Sequence, residues 1–197
     1  LLLALLEWMR RQPTLEVYAA ALTGGNIRER FEAQGPLLVL DEALSPGDSK
    51  RNGDKVIFDF CSGPPDVVLA NTVVTGKLHA LAEMEGVPVV TFVHELEQSI
   101  LRFAGEEVWQ MARDRSCMLL AASPAVFANL ERRGVPAERM RVTHDYIRAE
   151  VSEDLFLRVG PGSDTASRAA YRKSLNLPEE GILVFGCGSL DWRKGPD

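Results

Sequence analysis

The chain has 197 residues, of which 46% are hydrophobic and 25% are charged, with 22 basic and 28 acidic side chains and a formal net charge of −6. This length suffices for one buried core and part of a second at about 100–200 residues per domain, and the acidic balance argues against a nucleic-acid-binding protein. The three cysteines (Cys61, Cys117 and Cys187) form no CxxC pair, which indicates a reducing compartment and argues against a disulfide scaffold or a zinc site.

The chain opens with an apolar segment, LLLALL, followed by Glu7 and Trp8. No basic leader precedes this segment and no small-residue cleavage site follows it, so the pattern differs from that of a signal peptide. Apolar side chains at helical spacing predict an amphipathic helix with one broad apolar face. That face carries Leu1, Leu2, Leu5, Leu6 and Met9. No apolar run reaches about 18 residues, so no membrane-spanning helix is predicted.

Two kinds of segment alternate along the rest of the chain. Short, continuous apolar runs are typical of strands that are covered on both faces in a parallel sheet. Segments of helical period lie between them, and this alternation predicts βαβ units in a doubly wound α/β sheet. The predicted strands are Leu15–Leu22, Leu37–Leu40, Val67–Ala70, Pro88–Val93, Met118–Ala122 and Ile182–Gly186, and the predicted helices are Asn26–Gln34, Val73–Glu85, Pro124–Arg133 and Ala166–Leu175.

Residues typical of helix ends agree with this division. Thr72 is a predicted N-cap, and Ser123 is another, with Pro124 at the first helical position. Gly86 and Gly134 predict helix C-termini, where glycine is favoured.

Two polar stretches indicate surface loops. Ser45–Asp54 has little apolar content, and Val159–Thr165 has the glycine, proline and serine composition of an interdomain connection. The sequence therefore predicts one nearly complete α/β domain, a linker and the opening of a second α/β domain.

Polar residues follow two predicted strands at their carboxyl ends, where open parallel sheets bind ligands. Asn71 and Thr72 follow the third predicted strand, and they fit a helix cap that can also donate to a ligand hydroxyl. His94 and Glu95 follow the fourth strand. His94 can hydrogen-bond a polar substrate or transfer a proton, or it can equally be a structural cap. The sequence HELEQ lacks the second histidine of HExxH, so no metal site is predicted.

A third candidate is the loop GCGSLDWRKG after the last predicted strand. Gly188 allows backbone N–H groups to approach phosphate oxygens, and Arg193 and Lys194 supply neutralising charge. The loop matches neither the Walker spacing nor GxGxxG, and a plain strand-to-helix turn explains the same residues.

In this order, the segments resemble the retaining glycosyltransferases of family 4, whose GT-B fold has two Rossmann-like domains around a cleft. The resemblance rests on PDVVLANT, GVPVVTFVHE, ASPAVFANLERRGVPAERMRV and RAAYRKSLNLPEEGILVFGCGSLDWRKGPD. It implies an acceptor-side domain at 1–159 that lacks its first strand, a linker at 160–165, and the truncated start of a nucleotide-sugar domain at 166–197.

The resemblance also implies a reaction, in which a sugar moves from a nucleotide-diphosphate sugar to an acceptor with retention of configuration. His94 falls on the family's strand-end histidine and is the implied catalytic residue. Asn71, Thr72 and Glu95 are expected in the acceptor-side cleft.

For the donor side, the resemblance places Lys194 on the family lysine that contacts the donor diphosphate, with Arg193 beside it. Gly188 stands where many members have an arginine. Such a lysine offsets the charge that develops on the leaving nucleoside diphosphate, so neither a metal nor a cofactor is expected.

The implied partners are the nucleotide-sugar donor and a glycan, lipid-linked or small-molecule acceptor, with no nucleic acid. The expected location is cytoplasmic, with association at the membrane surface left open. Because the family's first strand and its paired glutamates fall outside 1–197, these residues alone are expected to be inactive.

Two alternatives remain. One is a non-hydrolysing nucleotide-sugar epimerase of the same two-domain architecture, for which Glu95 is the conspicuous acid–base candidate. The other is a non-catalytic α/β ligand-binding domain, against which Lys194 counts.

Overall fold

A computed structural model describes residues 2–43, 56–79, 86–144 and 165–178. The chain forms two compact units, Leu1–Tyr146 and Ile147–Asp197. The predicted loop Ser45–Asp54 and the predicted strand Ile182–Gly186 lie outside the described residues.

Within the described residues of the first unit, the strands are β1 (Ala19–Ala21), β2 (Leu37–Val39), β3 (Val68–Ala70), β4 (Val89–Val93), β5 (Ser116–Ala121) and β6 (Met140–Val142). The helices are α1 (Leu2–Arg10), α2 (Arg28–Glu32), α3 (Leu40–Ala43), α4 (Gly105–Arg115) and α5 (Pro124–Arg132), with further helical residues at 56–60 and 76–79. Shorter turns are helical at Glu97–Ser99, 3₁₀ at Val73–Thr75 and Ala137–Arg139, and π-helical at Ile100–Ala104. In the second unit the described residues form α6 (Thr165–Ser174).

Four strands form a parallel sheet in the sequential order β3-β4-β5-β6, and β1 pairs with β2 in a separate parallel pair. In the larger sheet Val68 lies opposite Val89, and Leu119 lies opposite Met140. A strand that pairs in parallel with its successor needs a crossover connection, usually a helix. The predicted parallel α/β arrangement is therefore confirmed.

One face of this sheet is more completely covered than the other. Along β4, Val89, Thr91 and Val93 are buried, whereas Val90 and Phe92 are only partly buried. The predicted covering of both faces is therefore complete on one face of β4 and partial on the other. The main core cluster joins strand and helix residues Val73, Val93, Ile100, Trp109, Ala112, Leu119, Ala121, Val126, Leu130, Val135 and Met140.

Several elements are shorter than the sequence predicts, although β5 is one residue longer. The apolar run Leu15–Leu22 contributes only Ala19–Ala21 to a strand, and Leu40 begins α3 instead of ending β2. Helix α4 is absent from the predicted elements. Its buried apolar stripe consists only of Val108, Trp109 and Ala112, within a segment that is otherwise largely charged.

Both predicted N-caps are confirmed. The Thr72 hydroxyl accepts a hydrogen bond from the Val74 N–H at 3.2 Å. The Ser123 hydroxyl accepts one from the Val126 N–H at 3.2 Å, with Pro124 directly after the cap. Each hydroxyl thus satisfies a backbone donor that the helix leaves unpaired.

The end of α5 is a Schellman motif. Gly134 has φ +80°, its N–H donates to the Glu131 carbonyl at 3.0 Å, and the Val135 N–H donates to the Leu130 carbonyl at 3.1 Å. The predicted C-terminus at Gly134 is therefore confirmed. Gly86 also has positive φ, +69°, although the residues just before it lie outside the described part.

Gly76 allows the helical residues 76–79 to approach α4 closely. A Cβ atom at this position would overlap the carbonyl oxygen of Val108 and lie 3.0 Å from the backbone nitrogen of Ala112. These are backbone atoms of a helix, which cannot swing aside as a side chain can.

We expect Gly76→Ala to lower the free energy of unfolding by about 1–3 kcal/mol through overpacking, which exceeds the gain of about 1 kcal/mol from helix propensity. Urea denaturation measures this difference. Gly25→Ala is the matched control, because nothing lies within 4 Å of a Cβ atom there. Equal midpoints for the two variants would contradict the close approach.

Candidate functional site

Four polar residues meet at the carboxyl ends of β3 and β4. Asn71 and Thr72 follow β3, and His94 and Glu95 follow β4. These two strands are adjacent and parallel, so their carboxyl ends share one edge of the sheet. The structure therefore brings together the four candidates that the sequence places after separate strands.

Glu95 joins the two strand ends. The Thr72 hydroxyl donates to Glu95 Oε1, and the backbone N–H of His94 donates to Glu95 Oε2 at 3.0 Å. Both carboxylate oxygens thus accept hydrogen bonds from within the protein. The Thr72 hydroxyl caps the next turn as an acceptor and directs its own proton at Glu95.

His94 is partly buried beside Asn71. Its Nε2 atom lies 3.4 Å from Asn71 Oδ1. Because an amide oxygen only accepts, Nε2 is the donor in this contact. The contact orients the imidazole ring along the edge that β3 and β4 share.

The same edge continues past β4 through backbone hydrogen bonds. The Ala122 N–H donates to the Val93 carbonyl at 3.0 Å, and the Thr143 N–H donates to the Ala121 carbonyl at 2.8 Å. Lateral pairing therefore extends to the residues next to His94. A site on such paired backbone is positioned more accurately than one on a free loop.

The predicted donor-side residues Gly188, Arg193 and Lys194 lie outside the described residues, so the structure does not place them beside His94. In the described ranges, no three His, Cys, Asp or Glu side chains are grouped so that they could hold a metal ion. None of the helices in those ranges has the length and apolar character needed to cross a membrane.

A cavity of about 670 Å³ lies next to the segment that follows His94. It is lined by Glu97, Glu106, Trp109, Asn129, Arg132, Arg133 and Gly134. Burial lowers the pKa of Arg133, but hydrogen bonds to Glu97 and Glu106 outweigh burial and raise that pKa overall. The sequence pattern missed this group because Arg133 stands 36 and 27 positions from its two carboxylate partners.

His79 is a buried histidine at the end of the helical residues 76–79, which pack against α4. It is 2% exposed, and its Nε2 atom lies 3.1 Å from the Thr75 hydroxyl. Burial lowers the pKa of His79 to about 4, and the nearby positive charge of Arg115 acts in the same direction. A hydrogen bond with the Ala112 backbone opposes this shift only in part, because burial is the larger effect.

No protein-family model matches the chain, and no curated protein matches it. Among solved structures, the crystal structure of UDP-N-acetylglucosamine 2-epimerase is similar, with a TM-score of 0.53 and 16% sequence identity. The match covers 85% of this chain and 50% of that chain, so the present chain spans half the length of the epimerase chain. The likeness shows a Rossmann-like α/β fold, in keeping with the GT-B class of folds, and is not specific to glycosyltransferase family 4.

We expect stability to fall as the pH drops from 6.5 toward about 4, because the pKa of His79 is lower in the folded chain than the ordinary value of 6.5. The unfolded chain then takes up the proton first, so the stabilisation is complete above the unfolded pKa and is lost toward the folded pKa. At ~1.4 kcal/mol per pKa unit, the loss is at most about 3.5 kcal/mol.

Urea denaturation between about pH 7 and about pH 5 measures this effect as a change in the free energy of unfolding. His79→Gln should show a weaker pH dependence than the unaltered chain. His144→Gln, at an exposed position, should keep the full dependence. Equal pH dependence of the two variants would exclude His79 as the source.

Proposed function

We propose that this chain is part of an enzyme that uses a nucleotide-diphosphate sugar and transfers the sugar to an acceptor. The observation that carries the proposal is the hydrogen-bonded cluster of Asn71, Thr72, His94 and Glu95 at one strand edge. Ligands of open parallel sheets bind at this edge. The resemblance to family 4 supplies the reaction, and the likeness to an epimerase of UDP-N-acetylglucosamine supports the class of substrate.

In this proposal His94 is the side chain that faces the transferred sugar. It hydrogen-bonds a sugar hydroxyl or steadies positive charge in an oxocarbenium-like transition state, and it does not act as a nucleophile. An interaction that strengthens as the reaction proceeds lowers the barrier, so its loss falls mainly on kcat.

A nucleotide-sugar epimerase is the second candidate, and the fold likeness favours it. Such an enzyme needs an acid–base group that can reach its substrate, and Glu95 is the candidate carboxylate at this edge. Glu95 instead accepts hydrogen bonds from Thr72 and from the His94 backbone, one on each oxygen. This bonding supports a positioning role for Glu95, and so favours transfer over epimerisation.

The donor side of the proposal rests on the resemblance alone. Lys194 would offset the charge on the leaving diphosphate, with Arg193 and Gly188 in the same loop. The proposal takes 1–159 as the acceptor-side domain and 166–197 as the start of the nucleotide-sugar domain. The acceptor would be a glycan, a lipid-linked sugar or a small molecule, used in the cytoplasm or at a membrane surface.

The direct test incubates the complete enzyme that carries this sequence with a panel of nucleotide sugars. Release of nucleoside diphosphate that depends on an added acceptor is the expected result. Formation of an epimeric nucleotide sugar without that release would favour the epimerase. If the folded enzyme does neither and binds no nucleotide sugar, the proposal is wrong.

We expect His94→Ala to lower kcat at least ~10-fold, equivalent to about 1.4 kcal/mol, with little change in Tm. His144→Ala is the control and should change neither quantity, because His144 is exposed beyond β6. If His94 is only a structural cap, the result reverses, with stability lower by about 1 kcal/mol and turnover intact.

We expect Lys194→Ala to weaken binding of nucleoside diphosphate by about 1.5–3 kcal/mol, because it removes a charge-assisted hydrogen bond to phosphate. Calorimetric titration measures the change. Lys173→Ala, on the exposed part of α6, is the matched loss of one positive charge and should leave binding unchanged. Unchanged affinity in Lys194→Ala would remove that residue from the site.

A further inference from the structure

The Arg133 guanidinium forms hydrogen bonds with two carboxylates in the part of the chain that follows β4. Arg133, directly after α5, has a side chain that is only 10% exposed. Its Nη1 atom donates to Glu97 Oε1 and its Nη2 atom to Glu106 Oε2, each at 2.5 Å. We refer to Arg133, Glu97 and Glu106 as the Arg133 clamp.

Arg133 contacts the core through the ring of Trp109. The guanidinium carbon of Arg133 lies 5.1 Å from the centre of the Trp109 ring, and that ring is fully buried. A planar guanidinium combines stacking on an aromatic face with hydrogen bonds from two different edges. The ring and the two carboxylates therefore hold the guanidinium from three sides of the contact.

The backbone of Arg133 is held as firmly as its side chain. Its N–H donates to the carbonyls of Asn129 and Leu130, both at 3.1 Å, and the Schellman turn at Gly134 follows at once. Leu130 and Val135 on either side belong to the main core cluster. The cation of the clamp is thus anchored to the end of α5 and to the core.

Between the two carboxylates lies an irregular stretch of chain. It contains the helical turn Glu97–Ser99 and the π-helical turn Ile100–Ala104. Ile100 is fully buried, whereas Leu101 and Phe103 are 48% and 47% exposed. Single π-helical turns are rare and occur often beside functional sites. Ile100 holds the middle of this stretch in the core, whereas Leu96, Glu97 and Gln98 on its β4 side are exposed. The contact of Glu97 with Arg133 therefore acts on the less buried part of the stretch, next to β4.

The first carboxylate of the clamp is close to the site in chain distance. Glu97 comes three residues after His94. At ~3.3–3.6 Å per extended residue, three residues span at most about 11 Å. A displacement of Glu97 therefore reaches the end of β4 through very little intervening chain.

We propose that Arg133 is a positioning residue for His94. By holding Glu97 it fixes the chain that leaves β4, and so keeps the His94 imidazole directed at Asn71 along the shared edge. The effect on turnover rests on the proposed function, but the effect on the orientation of His94 does not.

The test compares Glu97→Gln with Glu106→Gln. Each variant removes one carboxylate that lies 2.5 Å from the same guanidinium, and the two side chains are 49% and 52% exposed. The variants differ in their chain distance from His94. The readouts are the ring ¹⁵N resonances of His94 at constant pH, the separate values of kcat and KM, and Tm.

We expect Glu97→Gln to shift the His94 ring resonances and to lower kcat at least about 3-fold at nearly constant KM. Glu106→Gln should leave the His94 resonances and kcat as they are in the unaltered protein, even where it lowers Tm by the same amount. Arg133→Lys keeps the charge but lacks the planar fork, and it should reproduce the effect of Glu97→Gln.

Unchanged His94 resonances in folded Glu97→Gln would overturn the inference. Equal shifts in Glu97→Gln and Glu106→Gln would also overturn it, because the effect would then not pass through Glu97. If the unaltered enzyme turns over no nucleotide sugar, the proposed function fails, while the resonance comparison still decides the role of Arg133.

Discussion

The site depends on the parallel pairing of β4 between β3 and β5. This pairing places the ends of β3 and β4 at one edge, where the Glu95 carboxylate bonds Thr72 from one strand end and the His94 backbone from the other. Inside the sheet, the buried Thr91 hydroxyl of β4 lies 2.7 Å from the Ser116 hydroxyl. The Ser116 hydroxyl also donates to the Ala112 carbonyl of α4 at 2.6 Å. The buried Thr91 hydroxyl of β4 is therefore paired within the protein.

The four residues at this edge have different hydrogen-bond partners. Thr72 and Glu95 direct their polar atoms at one another and at the backbone, which makes them structural groups at the site. Asn71 supports the His94 ring. The imidazole is thus contacted by a side chain from the neighbouring strand end, and the proposed role of His94 builds on that contact.

Local patterns account for what the sequence predicts correctly. The cores of β3, β4 and β5, the caps at Thr72 and Ser123, and the helix end at Gly134 each depend on a few adjacent residues. Contacts between distant residues carry no such pattern. The π-helical turn and the pairing of Arg133 with carboxylates 36 and 27 positions away result from tertiary packing. The unequal burial of the two faces of β4 likewise cannot be read from its continuous apolar run.

The free energy of the Arg133 ion pairs is small compared with the folding stability but is large enough to change a reaction rate. A half-exposed ion pair contributes about 0–1 kcal/mol, which is small beside a typical folding stability of about 5–15 kcal/mol. The two pairs of the Arg133 clamp, with carboxylates 49% and 52% exposed, are therefore a minor part of the stability of the chain. A threefold change in rate, however, requires only about 0.65 kcal/mol, which lies within the range for one such pair. The clamp thus acts on an energy scale at which the position of His94 can change while the sheet beneath it remains folded.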